Sequence, residues 1–361
     1  MIYFQPVRKC VGKTRLIFLA AAAAAFAFIP AAMAVTPDAA LVKAATAAGA
    51  DRTKGLIDGA KKEGQLTFYT SAPVDDVIVV TTEFEKKYGV KVHIWRASSE
   101  KVLQRIVIEA RSGRFDFDLA DTNGPEMEAL HREQLLQEVK SPYLKDLIPQ
   151  AIRPHKEWVG TRLNVFTQAY NTNKVKKSEL PKTYYDLLDP KWKGRLGIEA
   201  EDLDWFGAVM GELGEEKGVK LFRDIVAANG LSVRKGHTLL TNLVVSGEVP
   251  LALTVYNYKA EQLKNKGAPI DWFAIPPAIA RPNGSGVSRK APHPNAAVLF
   301  FDFMITDAQE ILSKRDFVAT SKKIDTPLNK IPLKFVDPKI LLDDNEKWGK
   351  LYAEIITKQS R

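Results

Sequence analysis

Three strand-like runs, each followed at once by a helical pattern, fill residues 66–133 and constrain the fold more than any other feature of the sequence. Leu66-Thr-Phe-Tyr-Thr70 alternates as a strand does and runs into Ser71, Ala72 and Pro73. A helix is expected next, over 75–88, with acids at its start and bases at its end as the helix dipole favours. Residues 90–95 read as a second strand and 100–110 as a helix. A third strand over 115–120 ends at Asp121-Thr-Asn-Gly124, ahead of a helix over 125–133. Strand–helix units with short connections predict an α/β fold, a parallel sheet with helices on its faces. Ligands of such sheets sit at the carboxyl ends of the strands. Ser71, Ala72, Ser98, Ser99 and Asn123 occupy those ends, beside helix starts whose free N–H groups favour an anion or polar ligand. Each serine also fits a plain helix cap; three polar strand ends in succession point to a site.

The segment before these units reads as an export signal. Arg8, Lys9, Lys13 and Arg15 precede an apolar run over residues 16–29, and Ala32-Met-Ala34 is a cleavage motif. That run is shorter than the about 20 residues a membrane span needs. Cleavage near Ala34 removes the single cysteine, Cys10, so disulfides and thiolate metal sites are excluded from the mature chain. It also removes four bases and no acid, so the formal charge of +9 falls to about +5. That excess is spread along the chain without interleaved aromatics, which argues against nucleic acid. The remaining length favours two domains over one.

The middle of the chain repeats the α/β pattern over roughly 170–275. Leu251-Ala-Leu-Thr-Val-Tyr-Asn-Tyr258 reads as a short buried strand ending in two tyrosines. Tyr256 and Tyr258 share a face if the backbone stays extended; a helix starting at Asn257 is expected to spread them. Two phenols side by side can bond a polar ligand or ligate a hard metal, and they also fit a half-buried strand of no function. Glu199, Glu201, Asp202 and Asp204 lie at another strand end, either as oxygen donors or as a solvated helix start. Trp205 beside them can stack on an organic ligand or fill the core. Residues 276–290, rich in Pro, Gly and Ser, read as a link, and an apolar helix follows over 296–305. The five histidines, His93 and His293 among them, show no H-x-x-x-H pairing, which argues against a zinc site. No G-x-S-x-G elbow, phosphate loop, H-E-x-x-H motif or cysteine nucleophile suggests an enzyme.

An ordered set of motifs resembles the periplasmic binding proteins of ferric-iron-type ABC importers. It comprises Phe68-Tyr-Thr-Ser-Ala72, Phe84-Glu-Lys-Lys-Tyr-Gly-Val90, Arg96-Ala-Ser-Ser-Glu100, Asp186-Leu-Leu-Asp-Pro-Lys-Trp-Lys-Gly194, Gly247-Glu-Val-Pro-Leu-Ala-Leu253, Gly267-Ala-Pro269 and Ala291-Pro-His-Pro-Asn-Ala-Ala297. The resemblance implies the type 2 two-lobed fold, each lobe a mixed sheet flanked by helices, joined by a two-segment hinge. It implies lobe one from 35–168 plus 277–361 and lobe two from 169–276. It also implies a monomer in the periplasm that hands a small ligand, caught between its lobes, to an inner-membrane ABC permease, with no catalysis and no resident cofactor. If the ligand is Fe³⁺, Tyr256 and Tyr258 are its implied phenolate donors, although the family's adjacent tyrosine pair is here split by Asn257. Relatives with broken tyrosine patterns resemble binders of phosphonates, polyamines, thiamine or carboxylates. The ligand-facing residues expected are therefore Ser71, Ala72, Ser98, Ser99, Asn123, Glu199, Asp202, Trp205, Tyr256 and Tyr258. A periplasmic sensor or a secreted enzyme on the same framework is the alternative from another class.

Overall fold

The computed structural model describes residues 36–326 and 331–358. The export segment read at residues 1–34 lies outside them. Among the described residues no helix is long and apolar enough to cross a membrane.

β1 (Gln65–Thr70), β2 (Lys91–Arg96) and β3 (Leu119–Asn123) form the expected parallel group, with Phe68 of β1 between Ile94 and Leu119. Helices Val74–Tyr88, Ser99–Arg111 and Gly124–Arg132 follow the three strands in turn. After the two-residue β4 (Leu136–Gln137) comes the long β5 (Val159–Asn171), then β6 (Leu196–Glu199), β7 (Ser232–Arg234), β8 (Leu251–Tyr256) and β9 (Ile270–Phe273). A second long strand, β10 (Ala278–Ser288), and the short β11 (Val318–Ala319) and β12 (Leu333–Phe335) complete the set. The strands hydrogen-bond in the order β2-β1-β3-β10-β5-β8-β6-β7, with β4 and β12 on β10 and β9 and β11 on β5. β5 and β10 run antiparallel side by side, and they connect the parallel group β2-β1-β3 to the group β8-β6-β7.

β10 overturns the reading of 276–290 as a link. Every residue of β10 is buried, Pro and Gly included. Its glycines serve close approach rather than a turn: a Cβ on Gly284 would lie 2.8 Å from the Val159 carbonyl, and one on Gly286 2.9 Å from that of Glu157. Pro282 sits beside the register shift between Asn283 and Gly284, where the ladder is already irregular.

The apolar helix Pro294–Met304 is buried from Ala296 through Met304, as its composition requires. Its first turn is capped from a distance by Glu63, which accepts from Asn295 N–H at 3.1 Å and from Ala296 N–H at 2.7 Å. Gln309 secures the chain beyond it. Its amide nitrogen donates to the carbonyls of Thr161 (2.7 Å) and Met304 (2.8 Å), and its oxygen accepts from the N–H groups of Thr320 and Ser321.

His293 holds this helix to β1. Its N–H donates to Asp118 Oδ1 at 2.6 Å, its Nδ1 lies 2.9 Å from Oδ2, and Thr67 N–H donates to the same Oδ2. The bond to Asp118 raises the His293 pKa, against the pull of burial. A raised histidine stabilises the fold fully below its unfolded pKa of about 6.5 and loses that effect as pH rises through the folded value. His293→Gln is therefore expected to lower the melting temperature by a few degrees near pH 6 and by less near pH 9. Equal deficits at both pH values would contradict the ion pair.

Candidate functional site

The strand register lays one polar face across the crossing of β5 and β10. Arg281 lies opposite Asn164, Asn283 opposite Arg162 and also opposite Asn123 on the other side. Directly opposed residues share a face of a sheet. Tyr256 joins the same face opposite Phe166. Arg281 forms an ion pair with Asp204 and donates to the Tyr256 hydroxyl at 2.6 Å. Arg162 pairs with Asp121 at 2.6 Å, and Asp121 also accepts from Ser285 Oγ and Thr161 Oγ1. Both arginines and both aspartates are at most 5% exposed, a depth at which charges persist only when paired.

Some polar atoms without partners lie at this face: Arg281 Nε, Asn283 Oδ1 and, near Arg281, Glu126 Oε2 are buried and unbonded. Burial pushes the Glu126 carboxyl up to about 7, against the pull of Arg281. Buried polar atoms are almost always satisfied, so this concentration marks a place where a ligand would supply the missing bonds.

The tyrosines fall between the two arrangements expected of them. β8 ends at Tyr256 and the helix Asn257–Asn265 begins at once, yet the rings do not spread. Their centroids are 5.9 Å apart and their planes within 13°. Packing sets this: the Tyr258 ring lies on Phe317 (4.0 Å, 25°), and His237 lies on Tyr256 (3.8 Å). His237, Tyr256, Tyr258 and Phe317 thus make one ladder of rings. Burial raises the pKa of both phenols, although Arg281 counters it at Tyr256 and Arg162 at Tyr258. The Tyr258 hydroxyl makes no hydrogen bond among the described residues.

Glu199, Asp202 and Asp204 are 4%, 2% and 5% exposed, so they are not a solvated helix start. Only Glu201 faces water, paired with Lys235. Burial and then Asp202 push the Glu199 carboxyl up to about 7. Burial pulls His237 down, but Asp202 and Glu199 outweigh it and raise its pKa.

Trp205 corrects an expectation. It is fully buried, edge-on to Tyr184 and Phe222, and is core. Ser98 is exposed and caps its helix, accepting from Lys101 N–H, while Ser99 is the first helical residue. Ser71 accepts from Thr122 Oγ1 at 3.0 Å, the Ala72 carbonyl accepts from Arg96, and Asn123 accepts from Asn283. Arg281, Arg162, Asn283, Glu126 and His237 were not anticipated. Arg281 and Asn283 lie in the stretch taken for a link, and Pro/Gly-rich sequence hides a buried strand.

A model of the family described as bacterial extracellular solute-binding protein matches residues 70–311. The chain belongs to that family. It is 25% identical over 279 residues to iron uptake protein A1 of Synechocystis, covering 73% of this chain and 77% of that protein. Among solved structures, iron-bound HitA from Pseudomonas aeruginosa superposes with a TM-score of 0.72 at 23% identity, covering 81% of this chain and 99% of that one. AfuA from Actinobacillus pleuropneumoniae, with exogenous fructose-6-phosphate bound, gives 0.71 at 20% identity, covering 82% and 99%. This solute-binding protein therefore has the type 2 periplasmic-binding-protein fold, and its family binds solutes rather than transforming them.

Proposed function

We propose that this solute-binding protein is the periplasmic capture component of an ABC importer, exported by a signal cleaved near Ala34 and working as a monomer with an inner-membrane permease. Residues 35–168 with 277–361 are read as one lobe and 169–276 as the other, joined through β5 and β10, with the helix Asn345–Tyr352 reaching back to pack on Leu203–Leu213 of the second. The cargo is ferric iron, held by Tyr256 and Tyr258. The observation that carries this reading is the parallel pair of buried phenols, 5.9 Å apart, beside the carboxylate of Asp204 and near that of Glu126. Hard cations select oxygen donors, and ferric iron would take the place of both phenolic protons. Arg281, already bonded to Tyr256, favours the phenolate and offers a planar fork for an anion accompanying the metal. The relatives named for iron support the same choice.

Titration of the purified protein with ferric citrate is expected to produce a visible phenolate-to-iron charge-transfer band and to raise the melting temperature by mass action. Tyr258→Phe is expected to abolish the band. A colourless mixture with an unshifted melting curve sinks the ferric reading.

The buried Arg281 and Arg162 favour a second reading, an anionic organic solute such as a phosphonate or carboxylate. Stabilisation by such a solute without colour, indifferent to Tyr258→Phe, would select it.

A further inference from the structure

We propose that Glu199, Asp202 and His237 form a site for a divalent transition metal, separate in its donors from the two phenols. The parallel neighbours β6 and β7 end together, Glu199 beside Arg234. Glu199 is the last residue of β6, Asp202 precedes the helix Leu203–Leu213, and His237 opens the helix His237–Ser246. Side chains distant in sequence thereby meet, with a ligating atom of each within 4.8 Å of the others.

The donors are held in place. Glu199 Oε1 accepts from Gly236 N–H at 2.8 Å and Oε2 from Glu201 N–H at 2.5 Å, which orients the carboxylate and leaves each oxygen a lone pair. Contact with the Tyr256 ring, 3.8 Å between centroids and 34° between planes, holds the His237 ring. His237 Nε2 lies 3.1 Å from Asp202 Oδ1. Metal–nitrogen and metal–oxygen bonds of about 2.0–2.2 Å set neighbouring donors about 3–3.5 Å apart, so a metal could replace the proton between His237 and Asp202 as they stand, with Glu199, within 4.8 Å, closing in as the third donor.

The unpartnered atoms point the same way. Asp202 is 2% exposed, yet its Oδ2 has no partner, and neither does His237 Nδ1. The nearby cations are engaged elsewhere, Lys235 with Glu201 and Arg281 with Asp204. One imidazole and two carboxylates suit Zn²⁺, Mn²⁺ or Fe²⁺ rather than a softer ion. A second gathering of donors, Glu128, His131 and His155, lacks this geometry. Its two imidazoles lie face to face at 3.7 Å and 11°, so their in-plane lone pairs run parallel and do not converge on one ion.

The test uses tag-free, chelator-treated mature protein titrated calorimetrically with zinc chloride. One equivalent is expected to bind. Asp202→Asn and His237→Gln should each weaken binding at least about tenfold, while Glu201→Gln should leave it unchanged. Cobalt(II) should give the wild-type protein a visible ligand-field spectrum that zinc quenches, a readout needing no variant. Zinc binding indifferent to both substitutions, or no binding and no cobalt spectrum with folded wild-type protein, overturns the site. Neither result bears on capture by the phenols, which the ferric titration reads separately.

Discussion

Arg281→Met is expected to destabilise the protein by about 3–5 kcal/mol, because it leaves the Asp204 carboxylate buried without a countercharge. The Tyr256 hydroxyl loses its partner in the same stroke. Asp204→Asn should cost a comparable amount, since it strands the guanidinium instead. The double variant should recover a large part of the summed loss, as two buried charges removed together leave neither unpaired. Urea unfolding of the four proteins measures this coupling. Simple additivity of the two single losses would mean that the pair does not hold the site together. Either single substitution should also impair solute binding in the variant that still folds, because Arg281 links β10 to both Asp204 and Tyr256.

The second large effect separates core from site. Trp205→Ala is expected to cost about 3–5 kcal/mol, the usual loss on truncating a fully buried indole, and to lower the melting temperature by roughly five degrees in a chain of this size. Solute affinity should survive at temperatures where the variant stays folded, because the ring packs on Tyr184 and Phe222 and not on the polar face. An unchanged unfolding midpoint with lost binding would return Trp205 to the site.

The contrast between these residues explains what the sequence could and could not disclose. The units around β1, β2 and β3 were legible because alternation, helical period and caps all act within a few residues. β10 was not, since Pro282, Gly284 and Gly286 are turn formers by local preference and become strand residues only through close approach to the chain at Glu157 and Val159. Arg281 and Arg162 are ordinary surface residues until register places them opposite Asn164 and Asn283. Glu199 and Asp202 stood out as an acidic cluster, but the partner that gives them chemistry, His237, arrives from a different strand–helix unit. The tyrosines were visible as a pair. Their parallel setting was not, because Phe317 and His237 impose it from outside the segment.

The ring ladder also bears on rates. With the phenols at most 8% exposed, a cargo held by them as proposed would find its donors covered on arrival, and the stack would have to part before capture. The join between Tyr258 and Phe317 is an aromatic face contact, with centroids 4.0 Å apart. Loading would then have a first-order ceiling: once cargo is plentiful, uptake would proceed at the frequency with which the rings separate, however abundant the supply. The same step would govern release, so under the proposed function a transporter that pries this join apart would control both the residence time of the cargo and its direction.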